Sequence, residues 1–126
     1  MLNVVDSSGW VEYLTKGGNG PVFRPVIQDT QNLLVPRITI YEVFKRVVLV
    51  LEAETALEIT GVMAQGQEVG LDRNIAIDAA NISINRKMSM ADSIILATAQ
   101  AYDATLWTQD AHFKDIAGVR YIEKKP

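Results

Sequence analysis

The sequence predicts an α/β fold built on a central, mainly parallel β-sheet. The first observation is an alternation along the chain: short apolar runs typical of buried strands are separated by segments with helical periodicity. The second is size, because 126 residues with 48% hydrophobic content suffice for one packed domain of about 100–150 residues. We therefore expect residues 1–126 to form a single domain.

The first elements follow from capping and turn residues. Residues 2–5 are a short apolar strand, and Ser7 or Ser8 can cap a helix that runs to about Thr15. A glycine-rich loop then precedes a second predicted helix at residues 21–30. Residues 33–36 form the second apolar strand, which Pro36 closes.

A long helical region is expected from residue 38 to about residue 65. Gly61 and Gly66 indicate a break and a stop within it. Its apolar face is predicted from residues at helical spacing, namely Ile40, Phe44, Val47, Val48 and Leu51.

The C-terminal half continues the alternation of strands and helices. A short helical turn is expected at residues 112–116. Two helices are predicted, at residues 75–85 and 90–102. Three further strands are predicted, at residues 68–71, 104–108 and 119–122.

Composition excludes several classes of protein. The chain has no cysteine, which rules out a disulfide scaffold and any thiolate metal site. It shows neither a signal-peptide pattern nor an apolar run long enough for a bilayer, so we expect a cytoplasmic protein with no membrane partner. The net charge of −3 argues against nucleic-acid binding by bulk electrostatics alone.

Four acids occupy positions where a site is expected. Asp6 directly follows the first strand, and Asp110 follows the fourth by two residues. Asp92 lies in the first turn of a helix, and Glu42 lies near the start of the helix after the second strand. Because ligands of open α/β sheets bind at the carboxyl ends of the strands, these acids can converge at one edge.

Close carboxylates raise one another's pKa, so a cluster of them is stable only if a cation or a proton offsets its charge. An oxygen-only ligand set suits a hard ion, so magnesium or manganese is the expected cofactor. Such an ion polarises a phosphate and lowers the pKa of a bound water. The pattern thus favours metal-dependent hydrolysis of a phosphodiester.

Each acid also has a purely structural interpretation, which the sequence leaves open. Asp6 can cap the first helix, and Asp92 fits a capping box with Ser89. Glu42 can pair with Arg46 four residues along its helix, and Asp110 can be a turn aspartate. His112, the single histidine, is expected to be a surface residue rather than a general base.

Four segments together resemble PIN domains, above all those of VapC-type toxins. They are residues 4–10 (VVDSSGW), 40–43 (IYEV), 90–99 (MADSIILATA) and 106–113 (LWTQDAHF). Each segment is short, but all four occur in the family's order and span most of the chain.

The resemblance implies a three-layer α/β/α fold and a magnesium- or manganese-dependent endoribonuclease. On this resemblance Asp6, Glu42, Asp92 and Asp110 are both the catalytic and the metal-binding acids, and Thr108 is a supporting polar group. It also implies an RNA substrate, a cognate antitoxin as partner, and a homodimer. Flanking basic residues are candidates for holding the RNA strand, although an ordinary solvated surface charge explains each of them better; they are Lys45, Arg46, Arg86, Lys87 and Lys114.

Two other functions stay open at this point. One is a non-catalytic binding module that keeps the PIN-like fold. The other is a receiver-type phosphoacceptor domain, which the sequence disfavours because Ser7 and Ser8 follow Asp6 where a second acid is needed. No lysine directly follows the predicted fourth strand either.

Overall fold

The computed structural model describes residues 1–126 and contains one five-stranded sheet in which all neighbouring strands are parallel. The order of strands across the sheet is β3-β2-β1-β4-β5. The strands are β1 (Asn3–Val5), β2 (Leu33–Pro36), β3 (Gln67–Val69), β4 (Thr105–Thr108) and β5 (Val119–Tyr121). The predicted α/β fold with a parallel sheet is confirmed.

Six α-helices connect and flank the strands. They are α1 (Ser7–Leu14), α2 (Gly20–Gln28), α3 (Arg37–Val48), α4 (Ala53–Thr60), α5 (Arg73–Arg86) and α6 (Met90–Ala101). Three short 3₁₀ segments occur as well, at Thr30–Asn32, Gly61–Gln65 and Ala111–Phe113. None of the helices combines the length and apolar composition that crossing a bilayer requires.

The sheet lies between two helical layers because its side chains alternate between its faces. Val4, Leu34 and Leu106 point to one face, where they pack with residues of α5 and α6. Val5 and Val35 point to the other face and pack with residues of α1 to α4. Both faces are apolar, as expected for a parallel sheet covered on both sides. This is the three-layer architecture that the sequence predicts.

The strand order places a switch point between β1 and β4. From β1 the chain moves outward through β2 to β3, and then returns to the opposite side of β1 to form β4 and β5. Ligands of such sheets bind at this point, outside the carboxyl ends of the strands. Asp6 follows β1 there, and Asp110 follows β4.

The prediction of one long helical region is wrong in its middle. Helix α3 ends at Val48, and α4 begins only at Ala53. Leu51, expected on the apolar face, lies in the connection and is 38% exposed. Residues 47–51 are all apolar, so the run has no periodicity from which a helix end can be read. The predicted break at Gly61 corresponds to the end of α4.

Smaller differences concern element boundaries. Strand β3 covers Gln67–Val69 rather than residues 68–71. The predicted turn at residues 112–116 is a 3₁₀ segment at Ala111–Phe113. It starts earlier because the Asp110 carboxylate accepts a hydrogen bond from the amide of His112 at 2.9 Å and caps the segment.

Helix α1 packs so closely on β1 that Gly9 leaves no room for a side chain. A Cβ atom at Gly9 would lie 2.7 Å from Cγ1 of Val5 and 2.9 Å from Cε1 of Phe23. We expect Gly9→Ala to lower the free energy of unfolding by about 1–3 kcal/mol, the usual cost of overpacking a core. Urea denaturation followed by circular dichroism measures this change.

Gly61→Ala is the matched control, because no atom lies within 4 Å of the added Cβ there. At an unhindered helical position alanine is favoured over glycine by up to about 1 kcal/mol. Equal stabilities of the two variants would contradict the close packing of α1 on β1.

Candidate active site

Asp6 is a buried carboxylate that caps helix α1. Its Oδ1 accepts hydrogen bonds from the amide of Gly9 at 3.0 Å and the hydroxyl of Ser8 at 2.7 Å. Its Oδ2 accepts one from the hydroxyl of Thr108 at 2.7 Å. Burial raises the pKa of Asp6 to about 6, although these hydrogen bonds oppose the shift. The carboxylate is thus fixed in position, and its charge is only partly compensated.

Thr108 connects Asp6 to the second acid of the sheet edge. Its hydroxyl donates to Asp6 and accepts a hydrogen bond from the amide of Asp110 at 2.9 Å. Because β1 and β4 are adjacent and parallel, the residues that follow them lie at the same edge. Thr108 is therefore hydrogen-bonded to both Asp6 and Asp110, and its role as a supporting group stays a prediction.

Glu42 reaches the same region from helix α3. Its carboxylate accepts a hydrogen bond from the hydroxyl of Ser7, at the first turn of α1. The structure therefore pairs Glu42 with Ser7, whereas the sequence left open an ion pair with Arg46.

Asp92 lies in the first turn of α6, which Ser89 caps. The Ser89 hydroxyl accepts a hydrogen bond from the amide of Asp92 at 3.3 Å, so this capping interpretation is correct for the backbone. The carboxylate of Asp92, in contrast to its backbone amide, interacts with other charged groups of the site. Burial raises the pKa of Asp92, the negative charges of Asp110 and Glu42 raise it further, and His112 lowers it. These acids are close enough to act on one another electrostatically.

All four sequence-predicted acids line one cavity of about 490 Å³. Two basic side chains, Arg46 and Lys124, line it as well. The remaining lining residues are Ser7, Ser8, Ser89, Gln109, Ala111, His112 and Tyr121. The structure thus brings together the acids that the sequence scatters from residue 6 to residue 110.

Several lining residues were not identified from the sequence as parts of a site. Ser7 and Ser8 were expected only as helix caps, yet both donate to site carboxylates. Their signal was visible, since two hydroxyls directly follow Asp6. Tyr121 and Lys124 reach the cavity from β5 and the residues after it, and no motif marks them.

The five candidate basic residues for RNA binding divide into two groups. Arg46 lines the cavity itself, and Arg86 and Lys87 line a neighbouring space of about 170 Å³ that shares Ser89, Asp92 and His112 with it. The ammonium groups of Lys45 and Lys114 instead lie over aromatic rings, at 5.6 Å and 5.9 Å from the ring centres of Tyr41 and Tyr121.

The cavity fits a divalent cation. Its donors are carboxylate and hydroxyl oxygens with one imidazole, and no thiol is present in the chain. One ligand atom each from Asp92, Asp110 and His112 lies within 4.8 Å of the others. Burial, and to a smaller extent the neighbouring acids, raise the pKa of Asp6 and Asp92, and a bound cation would favour the charged form of both carboxylates.

The family of the chain follows from comparison with known proteins. Residues 4–119 match the PIN domain family, and the chain belongs to that family. The matched region contains all four acids. No curated protein matches the chain significantly.

Solved structures share the fold at low sequence identity. A toxin–antitoxin complex from Klebsiella pneumoniae has a TM-score of 0.79 at 18% identity, covering 98% of this chain and 99% of that one. VapBC2 from Rickettsia felis, bound to a promoter DNA fragment, has a TM-score of 0.76 at 14% identity, covering 99% and 100%. VapC20 from Mycobacterium tuberculosis, described as a sarcin–ricin loop cleaving toxin, has a TM-score of 0.74 at 10% identity, covering 98% and 99%.

Proposed function

We propose that the protein is a metal-dependent endoribonuclease in which Asp6, Glu42, Asp92 and Asp110 are the catalytic and metal-binding acids. The observation that carries this proposal is their convergence on one cavity, where burial raises the pKa of two of them. Strong perturbation of pKa values in a cleft is typical of functional sites.

The protein's own groups have distinct tasks in this proposal. Ser8 and Thr108 hold Asp6, and Ser7 holds Glu42, so that two carboxylates are positioned before any substrate arrives. Arg46 and Lys124 line the same cavity as the acids and can pair with RNA phosphates there. A bound magnesium or manganese ion supplies positive charge to the phosphodiester and lowers the pKa of the attacking water.

The same proposal assigns the protein to a toxin–antitoxin pair as the toxin. Membership of the PIN family supports it, as do similar folds in a toxin–antitoxin complex and in VapBC2. Large apolar side chains are exposed in the connection after α3, at Leu49 and Val50, and on α4, at Leu57. Exposed apolar surface of this kind supports burial against a protein partner, for which we propose a cognate antitoxin.

Three further features belong to this proposal. The whole chain acts as one nuclease domain, it forms a homodimer, and it works in the cytoplasm. The match over residues 4–119 supports the first of these, because it leaves only short ends of the chain uncovered.

The receiver-type alternative disagrees with the observed topology. Receiver domains have the strand order 2-1-3-4-5, whereas this sheet has the order β3-β2-β1-β4-β5. The different order changes which strands flank β1, and with them the residues that can face Asp6. This alternative is therefore dropped, and the non-catalytic binding module becomes an outcome of the test below.

Metal removal tests the proposed activity directly. Purified protein is incubated with structured and unstructured RNA in magnesium, in manganese, or in excess chelator. We expect cleavage with either ion, none in chelator, and recovery when the ion is restored, because the acids need a cation to approach a phosphate. Product analysis on denaturing gels provides the measurement.

Two results would contradict the proposal. Cleavage that continues unchanged in chelator would exclude a metal-dependent mechanism. Binding of RNA without cleavage in either ion would favour the non-catalytic module instead.

A further inference from the structure

His112 faces two of the site acids. It is the single histidine of the chain and lies in the 3₁₀ segment after Asp110. Its Nδ1 is 3.2 Å from Oδ1 of Asp110 and 3.9 Å from Oδ2 of Asp92. The side chains of Asp92 and Asp110 are 18% and 31% exposed, whereas that of His112 is 77% exposed. The imidazole is therefore the most exposed of the three groups.

These separations are close to the spacing between two ligands of one ion. In a tetrahedral site with bonds of about 2.0–2.1 Å, neighbouring ligand atoms lie about 3.3–3.4 Å apart. The distance from His112 to Asp110 agrees with this spacing. The distance to Asp92 is longer, but one ligand atom from each of the three residues lies within 4.8 Å of the others.

We propose that His112 is a third metal ligand beside Asp92 and Asp110, and that its nitrogen gives the site a preference for zinc and similar transition-metal ions over magnesium. Imidazole suits zinc, copper, iron and nickel, whereas carboxylate oxygens alone suit magnesium and manganese. The inference rests on the metal site of the proposed function and changes the oxygen-only ligand set expected from the sequence.

The competing role for the imidazole is a simple hydrogen bond. Nδ1 lies 3.2 Å from the carboxylate of Asp110 and can donate a hydrogen bond to it without any ion present. This role leaves the ring unaffected by added zinc, so the two roles predict different results.

Nitrogen NMR distinguishes the two roles, and the sequence makes the experiment simple. With one histidine in the chain, the tag-free ¹⁵N-labelled protein gives a single pair of imidazole signals. We expect one equivalent of zinc to shift the signal of one ring nitrogen, while the same amount of magnesium leaves both unchanged. Unchanged imidazole signals in zinc would overturn the inference.

Metal affinities provide a second, independent measurement. Calorimetric titration of His112→Gln is expected to show zinc affinity lowered by at least about 10- to 100-fold. Mutation of residues that only support a metal ligand already causes a loss of this size. Magnesium affinity should stay unchanged, because that ion uses the oxygens. The exposed position of His112 makes this variant compatible with the fold. Unaltered zinc affinity in His112→Gln would also overturn the inference.

Asp115→Asn is the matched control for the affinity measurement. Asp115 is an exposed acid three residues along the chain and is not among the residues that line the cavity. Its backbone is left-handed, with φ of 65°, a conformation that asparagine tolerates. We expect this variant to bind zinc as the wild type does.

Failure of this inference is separable from failure of the proposed function. If RNA is cleaved in magnesium but zinc leaves the imidazole signals unchanged, the assignment of His112 as a ligand fails and the proposed nuclease activity stands. Zinc on the imidazole without cleavage in any ion would support the ligand and overturn the nuclease.

Discussion

An Asp92→Asn variant is expected to cleave RNA about a thousandfold more slowly than the wild type in saturating magnesium or manganese. Asp92 lies close to two of the other acids, since the charges of Asp110 and Glu42 both raise its pKa. Loss of one charged ligand weakens charge stabilisation of the transition state by several kcal/mol, and about 4 kcal/mol corresponds to a thousandfold. Single-turnover rates on one RNA, with enzyme in excess, measure the effect.

The loss of rate should not come from unfolding. Asparagine has nearly the shape of aspartate, and the Ser89 cap of α6 uses the backbone amide rather than the side chain. The substitution also removes a charge that the folded protein holds at a raised pKa. We therefore expect an equal or higher melting temperature at neutral pH.

Asp78→Asn serves as the control for the loss of one acid from a helix. Asp78 is exposed on α5 and does not line the cavity. The Asp78→Asn variant should therefore cleave RNA at the wild-type rate. Wild-type cleavage by Asp92→Asn itself would contradict the assignment of the four acids.

The meeting of two acids at one edge of the sheet was predictable from the sequence, because it depends on a general property of parallel sheets. Strand ends can be located from apolar runs, and acids that follow two adjacent parallel strands must lie at one edge. Asp6 and Asp110 satisfy this rule once β1 and β4 are identified. The structural alternatives were also correct for both residues, since Asp6 caps α1 and Asp110 caps a 3₁₀ segment. Capping and site formation therefore coexist.

Other features depend on packing between distant segments and could not be predicted in this way. Glu42 and Asp92 approach through contact between α3 and α6, which local periodicity does not specify. Lys124 reaches the cavity because β5 pairs with β4, and no motif accompanies it. The connection between α3 and α4 was missed because a uniformly apolar run contains no helix-stop residue.

The raised pKa of Asp6 predicts that its buried charge lowers the stability of the fold at neutral pH. Its pKa is about 6 in the folded protein, compared with a reference value of 3.8. Because the folded state holds the proton more tightly, this group favours folding most at low pH. Its contribution declines as pH rises from about 4 and is lost above about 7. The full change is about 3 kcal/mol as an upper limit, since one pKa unit corresponds to 1.36 kcal/mol.

Asp6→Asn should therefore be more stable than the wild type at pH 8 by up to about 3 kcal/mol, in chelator, and nearly equal to it at pH 4. Asparagine carries no charge, yet its oxygen can still accept the hydrogen bond from the amide of Gly9 that caps α1. Chemical denaturation at a series of pH values measures the difference.

Asp72→Asn separates the buried charge from the change of cap. Asp72 caps α5 in the same way, accepting a hydrogen bond from the amide of Ile75 at 2.8 Å, but it is exposed. Its substitution should change stability by less than about 0.5 kcal/mol at either pH, as at ordinary surface positions. If Asp6→Asn gained no more at pH 8 than at pH 4, the carboxylate would not be the uncompensated charge on which the proposed cation site depends. Where Asp6 binds the ion, added manganese should stabilise the wild type more than the variant. Equal stabilisation of both proteins by manganese would contradict a role for Asp6 in binding the ion.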